Sequence, residues 1–179
     1  MIRLNIGAGT DIRPKAEGWT NCDIRDLPGI DVVCDARHLP FEDDYADYLL
    51  AQDIVEHIPQ SEIEFTLREW FRVLKPGGAI ELRTPNWFMV FRAAITRRIP
   101  VRRAFELLFG DQSPEAGGYE WGGHKNGFSI SEWEEVLKKI GFEEVDVSEH
   151  EHEFNLYIAA RKSVETMSEP EPQLASKET

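Results

Sequence analysis

The sequence has two cysteines, no uninterrupted apolar run near the roughly 18 residues a membrane span requires, and too few basic residues to balance its acids. Each shortage excludes something. Cys22 and Cys34 are too few for a disulfide framework and suit a reduced chain. The start, Met1-Ile2-Arg3-Leu4-Asn5-Ile6, lacks the long apolar stretch and small-residue cleavage site of a secretory signal, so a cytoplasmic protein without stable membrane insertion is expected. With 20 Lys+Arg against 33 Asp+Glu the formal net charge is −13, the wrong sign for coating nucleic acid, and no nucleic-acid partner is expected. What remains suffices for one core. The 179 residues are 41% hydrophobic and 11% aromatic, which excludes a disordered, collagen-like or coiled-coil chain over most of the length.

Leu4-Asn5-Ile6 reads as a buried strand that stops at Gly7-Ala8-Gly9. Pro14 and Gly18 make a long helix improbable in the next segment. Thr20–Ile24 and Asp31–Asp35 read as the second and third strands and 46–52 as the fourth. Helical spacing of Ile63, Phe65, Leu67, Trp70, Phe71 and Leu74 predicts a helix over 61–74, stopped by Lys75-Pro76-Gly77-Gly78, with a strand over 79–83. A helix over 131–140 and strands over 143–148 and 154–161 complete the pattern. Strands alternating with crossovers predict an α/β fold, a three-layer αβα sandwich with a doubly wound, mostly parallel seven-stranded sheet and an antiparallel last strand. Ligands in such folds sit beyond the carboxyl ends of the strands.

Residues 1–162 are read as one domain and 163–179, rich in Glu and Pro with almost nothing to bury, as a disordered acidic tail. Within the domain, 86–110 carries five arginines and one glutamate, a charge of +4 in an acidic protein, interleaved with Trp87, Phe88, Met89, Val90 and Phe91. It reads as part of a basic amphipathic lid insert at about 86–128. Its arginines are either solvated, a clamp for an anionic substrate, or a membrane-surface element.

Two glycines one residue apart at a strand end let the backbone approach a ligand closely. A dinucleotide fingerprint would need a third glycine where Ile12 stands, and a helix N-terminus for the pyrophosphate. The loop therefore suits a ligand without phosphates. Asp23, 14 residues after Gly9, ends the second strand, where a carboxylate accepts both ribose hydroxyl hydrogens. Asp35 and the Ala36 N–H can read the amino group and ring nitrogen of an adenine. Together these features describe a site for an adenosine without a diphosphate.

The segments Leu4-Asn5-Ile6-Gly7-Ala8-Gly9-Thr10, Asp23-Ile24, Cys34-Asp35-Ala36-Arg37-His38-Leu39-Pro40-Phe41, Asp53-Ile54-Val55-Glu56-His57-Ile58 and Arg72-Val73-Leu74-Lys75-Pro76-Gly77-Gly78 resemble, in order and spacing, the class I S-adenosylmethionine-dependent methyltransferases across roughly residues 4–85. The turn Pro14-Lys15-Ala16-Glu17-Gly18-Trp19 resembles a looser form of one in small methyltransferases found among bacterial surface-polysaccharide genes. The resemblance implies S-adenosyl-L-methionine as cofactor. The glycine loop would lie against its methionyl part, Asp23 would hold the ribose, and Asp35 with Ala36 the adenine. Leu39 would pack on the adenine face, and Gln52 would offer its backbone carbonyl to the amino group. The implied cofactor set is thus Asn5, Ile6, Gly7, Ala8, Gly9, Asp23, Ile24, Asp35, Ala36, Leu39 and Gln52.

Methyl transfer to a hydroxyl needs an in-line nucleophile and a base. His57, following the fourth strand, is one candidate base, or a histidine that orders its turn. His124, in the glycine-rich Gly122-Gly123-His124-Lys125-Asn126-Gly127, is the other, carried on a mobile loop, or a surface histidine. Asp53, Trp87, Arg92 and Arg97 are candidate substrate contacts; Asp53 and Glu56 are by default solvated loop acids. His150 and His152 share a strand face but lack the further ligands of a zinc site, so no metal is expected. Without an Asn-Pro-Pro-Tyr-like segment after strand four, methylation of DNA bases is disfavoured. The expected acceptor is a hydroxyl of a small metabolite such as a sugar or nucleotide-sugar, an anionic one if the arginines clamp it. A homo-oligomer stays open. The competing reading is a non-catalytic domain that binds S-adenosylmethionine or S-adenosylhomocysteine and acts through a partner protein.

Overall fold

The computed structural model describes residues 1–113, 118–150 and 154–164. A seven-stranded sheet in the order β3-β2-β1-β4-β5-β7-β6 is built from β1 (Arg3–Ile6), β2 (Trp19–Asp23), β3 (Val32–Val33), β4 (Ala46–Gln52), β5 (Leu74–Pro85), β6 (Phe142–His150) and β7 (Asn155–Lys162). β3 to β5 run parallel through β2, β1 and β4, and β7 lies antiparallel between β5 and β6. This is the doubly wound, mostly parallel seven-stranded sheet with an antiparallel last strand that the strand pattern predicts.

Alternation along the strands decides which face is covered. Leu49 pairs with Ile80 and Ala51 with Leu82, while Leu82 in turn pairs with Ile158 and Ile80 with Ala160, so these buried residues share one face. Against it pack α1 (Ile63–Val73) and α5 (Ile130–Ile140), through Leu67 and Trp70 from one and Trp133, Leu137 and Ile140 from the other. Phe65, counted into the α1 stripe by its spacing, is exposed; Thr66 is buried in its stead. A capping box, in which Ser129 and Glu132 exchange hydrogen bonds, starts α5, and Gly141 in left-handed conformation ends it.

On the opposite face of β1 and β2 lies the loop from Asp11 to Gly18, whose only regular piece is a single 3-10 turn at Lys15–Glu17. Asn5 and Asn21 hold it: Asn5 donates to the Asp11 carbonyl and to Asn21, and Asn21 accepts from the Arg13 N–H. The third strand is shorter than the five residues expected, and β5 starts early, at Leu74, which pairs with Ala46 before an irregularity in register and the pairing of Ala79 with Tyr48.

After β5 the chain leaves the sheet. Asn86 caps α2 (Trp87–Ile95) by accepting from the Met89 N–H, and α2 forms a hairpin with α3 (Val101–Phe109) around Val90, Ala104 and Leu108. A short helix, α4 (Gly118–Gly122), precedes the glycine-rich segment that returns to the sheet rim. Among the described residues, no helix is long and apolar enough to cross a membrane. The acidic tail, from residue 165 on, and His152 lie outside the described residues.

Candidate active site

The carboxyl ends of β1, β2 and β4 and the segment after β3 open onto a cavity of about 290 Å³. Ile6, Gly7, Asp23, Ile24, Asp35 and Ala36 line it, as do Asp53 and His57. Gly7 and Gly9 have φ of +67° and +53°. A Cβ on Gly7 would sit 2.8 Å from the Ile54 side chain, so a side chain there is excluded by both conformation and space. The Gly9 N–H donates to Asp23 Oδ2 at 2.8 Å, which ties the loop to the acid that follows it.

Neither acid is a free strand end. Asp23, 5% exposed, also accepts from the Arg25 backbone and guanidinium through Oδ1. Arg37 forks onto both Asp35 oxygens and reaches Glu62 beyond it. That guanidinium holds the Asp35 carboxyl below its ordinary value, against the opposing effect of burial. Arg25 and Arg37 line the cavity together with Cys22 and Cys34, four residues that strand-end reasoning passes over. Their signal in the sequence is the repeated Asp-X-Arg at 23–25 and 35–37.

Other members of the expected set stand behind the cavity wall. Asn5 and Ala8 are buried in the loop scaffold, with the Ala8 N–H donating to the Cys22 carbonyl. Leu39 is a core residue, fixed by its N–H donating to Glu69, and Gln52 accepts from Arg13. The loop carrying Asp35 and Ala36 is clamped by α1: the Trp70 indole donates to the Ala36 carbonyl, and Arg72 to the carbonyls of Leu39 and Phe41.

The two candidate bases, 67 residues apart in sequence, meet. The His57 and His124 rings lie 5.0 Å apart, inclined at 75°. The segment bearing His124 is pinned, contrary to the mobility its glycines suggest. The Lys125 N–H donates to the Glu56 carbonyl, and Asn126 Nδ2 donates to the carbonyls of Val55 and Ile58, each at 2.7 Å. His57 Nδ1 lies 3.2 Å from the Gly123 carbonyl, and Gly123 bridges to Gly110. Buried Asn126 was invisible to pattern reading because its partners lie some 70 residues away. Glu120 and Lys125 complete the cavity lining from this side.

Glu56 is not the solvated loop acid its position suggests. It is 1% exposed, and burial pushes its carboxyl up to about 8. Burial likewise lowers His57, and with the neighbouring His57 it lowers His124 to about 4, so both imidazoles are neutral at pH 7. One carboxylate oxygen and one nitrogen from each histidine lie within 4.8 Å of one another. Asp53, held at φ +53°, pairs with Arg83 at the cavity mouth.

Trp87 faces a second cavity beneath α2, of about 610 Å³, with Phe88, Phe91 and Phe128. Arg92 and Arg97 line neither cavity; they lie on the α2–α3 hairpin, whose outer surface exposes Phe88, Ile95 and Phe105 between its arginines.

Comparison with known proteins agrees with this geometry. Residues 6–82 match a family model described as a methyltransferase domain. Sterol 24-C-methyltransferase of Schizosaccharomyces pombe is 30% identical over 123 residues, 66% of this chain and 28% of that protein. Among solved structures, an S-adenosylmethionine-dependent methyltransferase from Methanosarcina mazei superposes with a TM-score of 0.62 at 23% identity, covering 91% of this chain and 92% of that one. Phosphoethanolamine N-methyltransferase 2 of Haemonchus contortus, in complex with phosphomonomethylethanolamine and S-adenosylhomocysteine, gives 0.60 at 15% identity, covering 91% and 49%. In fold the chain is therefore similar to S-adenosylmethionine-dependent methyltransferases, and its residues 6–82 match a methyltransferase-domain model in sequence. It spans about a quarter of the length of the curated relatives it matches.

Proposed function

We propose that the protein transfers a methyl group from S-adenosyl-L-methionine to a hydroxyl of a small metabolite, a sugar or nucleotide-linked sugar. The observation that carries this reading is that one cavity joins the glycine loop and the two acids to the His57 corner. The residues suit the cofactor. Gly7 lines the cavity without a side chain, and Asp23 keeps a lone pair on Oδ2 beyond its bond to Gly9. Bound there, the cofactor supplies an electrophilic methyl on a sulfonium. The protein then has to hold the acceptor oxygen in line and receive its proton as the new O–C bond forms and the S–C bond breaks. His57 and His124 mark where that proton leaves. Asp53, which lines this cavity, and Trp87, which lines the second, are substrate contacts in this reading. Arg92 and Arg97 act only on an acceptor long enough to extend from the cavity to the hairpin.

Formation of S-adenosylhomocysteine with a panel of sugars and nucleotide-sugars tests the reading. Tight cofactor binding without turnover on any acceptor would favour a non-catalytic binding domain that works through a partner. Charge reversal at Arg97 and Arg102 should raise KM roughly 3- to 10-fold for an anionic acceptor and leave a neutral one unchanged, since exposed charge pairs are worth about 1 kcal/mol. Equal KM values across both acceptor types would remove the clamp.

A further inference from the structure

We propose that Glu56, His57 and His124 form a binding site for a divalent transition-metal cation at the acceptor end of the cavity. The three side chains place one oxygen and two nitrogens within 4.8 Å of one another. Two of their atoms, Glu56 Oε2 and His124 Nδ1, are buried with no hydrogen-bond partner among the described residues. A buried carboxyl oxygen and an imidazole nitrogen left unsatisfied are destabilising, and a shared cation would satisfy both.

The surroundings have the features that metal ligation requires. The Gly123 carbonyl faces His57 Nδ1 at 3.2 Å; accepting its N–H, that carbonyl leaves the Nε2 lone pair free, the usual outer-shell device that fixes a ligand histidine. Gly110 closes against the Cδ2–Nε2 edge of His124, where even a Cβ would come within 2.8 Å, so Nδ1 is that ring's available nitrogen. The two ligand-bearing segments are locked together by the Lys125 and Asn126 hydrogen bonds. Contracting to a tetrahedral edge of about 3.4 Å moves each group by about 1 Å. Two imidazoles and one carboxylate select zinc, cobalt or manganese over calcium or magnesium, which prefer all-oxygen sets. Three protein ligands leave a coordination position open, and His57 lines the cavity where an acceptor would enter it.

The binding itself needs nothing from the proposed reaction; only its use does. In that use the acceptor hydroxyl occupies the open position, its acidity raised by the cation, and its proton passes to water while the imidazoles act as ligands.

The test uses the full chain without a histidine tag, stripped with EDTA. Titration with Co²⁺ should give visible absorption bands saturating at one ion per chain and bleached by Zn²⁺. Glu56→Gln and His124→Gln should each weaken Co²⁺ on the order of 100-fold, with His150→Gln unchanged. Calorimetric titration of the same preparations with S-adenosylmethionine reports whether each variant is folded. Cofactor binding without stoichiometric Co²⁺, or Co²⁺ binding indifferent to both substitutions, overturns the metal site. Co²⁺ binding without cofactor binding upholds it and overturns the methyltransferase reading.

Discussion

From β1 to β4 the rim is shaped by the backbone; beyond β5 it is shaped by side chains. On the first side, positive φ at Gly7 and Gly9, a backbone N–H on Asp23 and strand ends in parallel register create the cavity. On the second, Asn126 reaches two carbonyls, His57 meets His124, and Glu56 lies beneath both. Backbone geometry constrains which residue type can occupy a position, whatever its neighbours. Side-chain geometry depends on what the fold brings opposite. One half of such a site can thus serve a common cofactor while the other is rebuilt for each acceptor.

The sharpest way to break the comparison is to damage one half and measure both. Asp23→Ala removes the partner of the Gly9 N–H along with the acid proposed to hold the ribose. Charge-assisted hydrogen bonds are worth about 1.5–3 kcal/mol each, so losing two should weaken S-adenosylmethionine binding by more than about 100-fold in calorimetry. Unchanged affinity would sink the ribose assignment. Asn126→Ala is the counterpart. It removes the donor to the Ile58 carbonyl and one of two donors to the Val55 carbonyl, which keeps the Ile58 N–H, a loss of about 1–3 kcal/mol in stability by denaturant titration, and should lower kcat about 10- to 100-fold through misplacement of His124. Cofactor affinity should stay within about 3-fold. If affinity falls as far as kcat, the two halves are one unit and the distinction fails.

The same division explains what the sequence disclosed. The turn at Gly7 and Gly9 and the placement of Asp23 and Asp35 were legible because a glycine turn and an acid at or just beyond a strand end are local features. The α1 helix was legible from periodicity, with Phe65 misassigned because its spacing alone does not show which side of the stripe faces the sheet. His57 and His124 were recognisable separately, yet their contact, the burial of Glu56 and the anchoring by Asn126 depend on pairs some 70 residues apart that no local pattern encodes. Arg25 and Arg37 fall between: each follows an acid by two residues, and the spacing permits the ion pair without requiring it.

Glu69 sharpens the comparison, being a side chain that serves the backbone-built half. It accepts from the Leu39 N–H and pairs with Arg72, which reaches the Leu39 and Phe41 carbonyls, so it props the loop carrying Asp35. The Arg72 guanidinium holds the Glu69 carboxyl below its ordinary value, with the Leu39 N–H adding to the effect and burial opposing it. A carboxyl whose folded pKa is depressed stabilises fully above its unfolded value, about 4.3, and loses that contribution as pH falls through the folded value. Glu69→Gln should therefore lower Tm at pH 7 by about 2–4 °C, corresponding to about 1 kcal/mol, with the difference from the parent protein shrinking between about pH 5 and pH 3. A Tm deficit equal at pH 7 and pH 3 would mean that the carboxylate charge contributes nothing, and that the loop is held by the Trp70 and Arg72 bonds to its carbonyls alone.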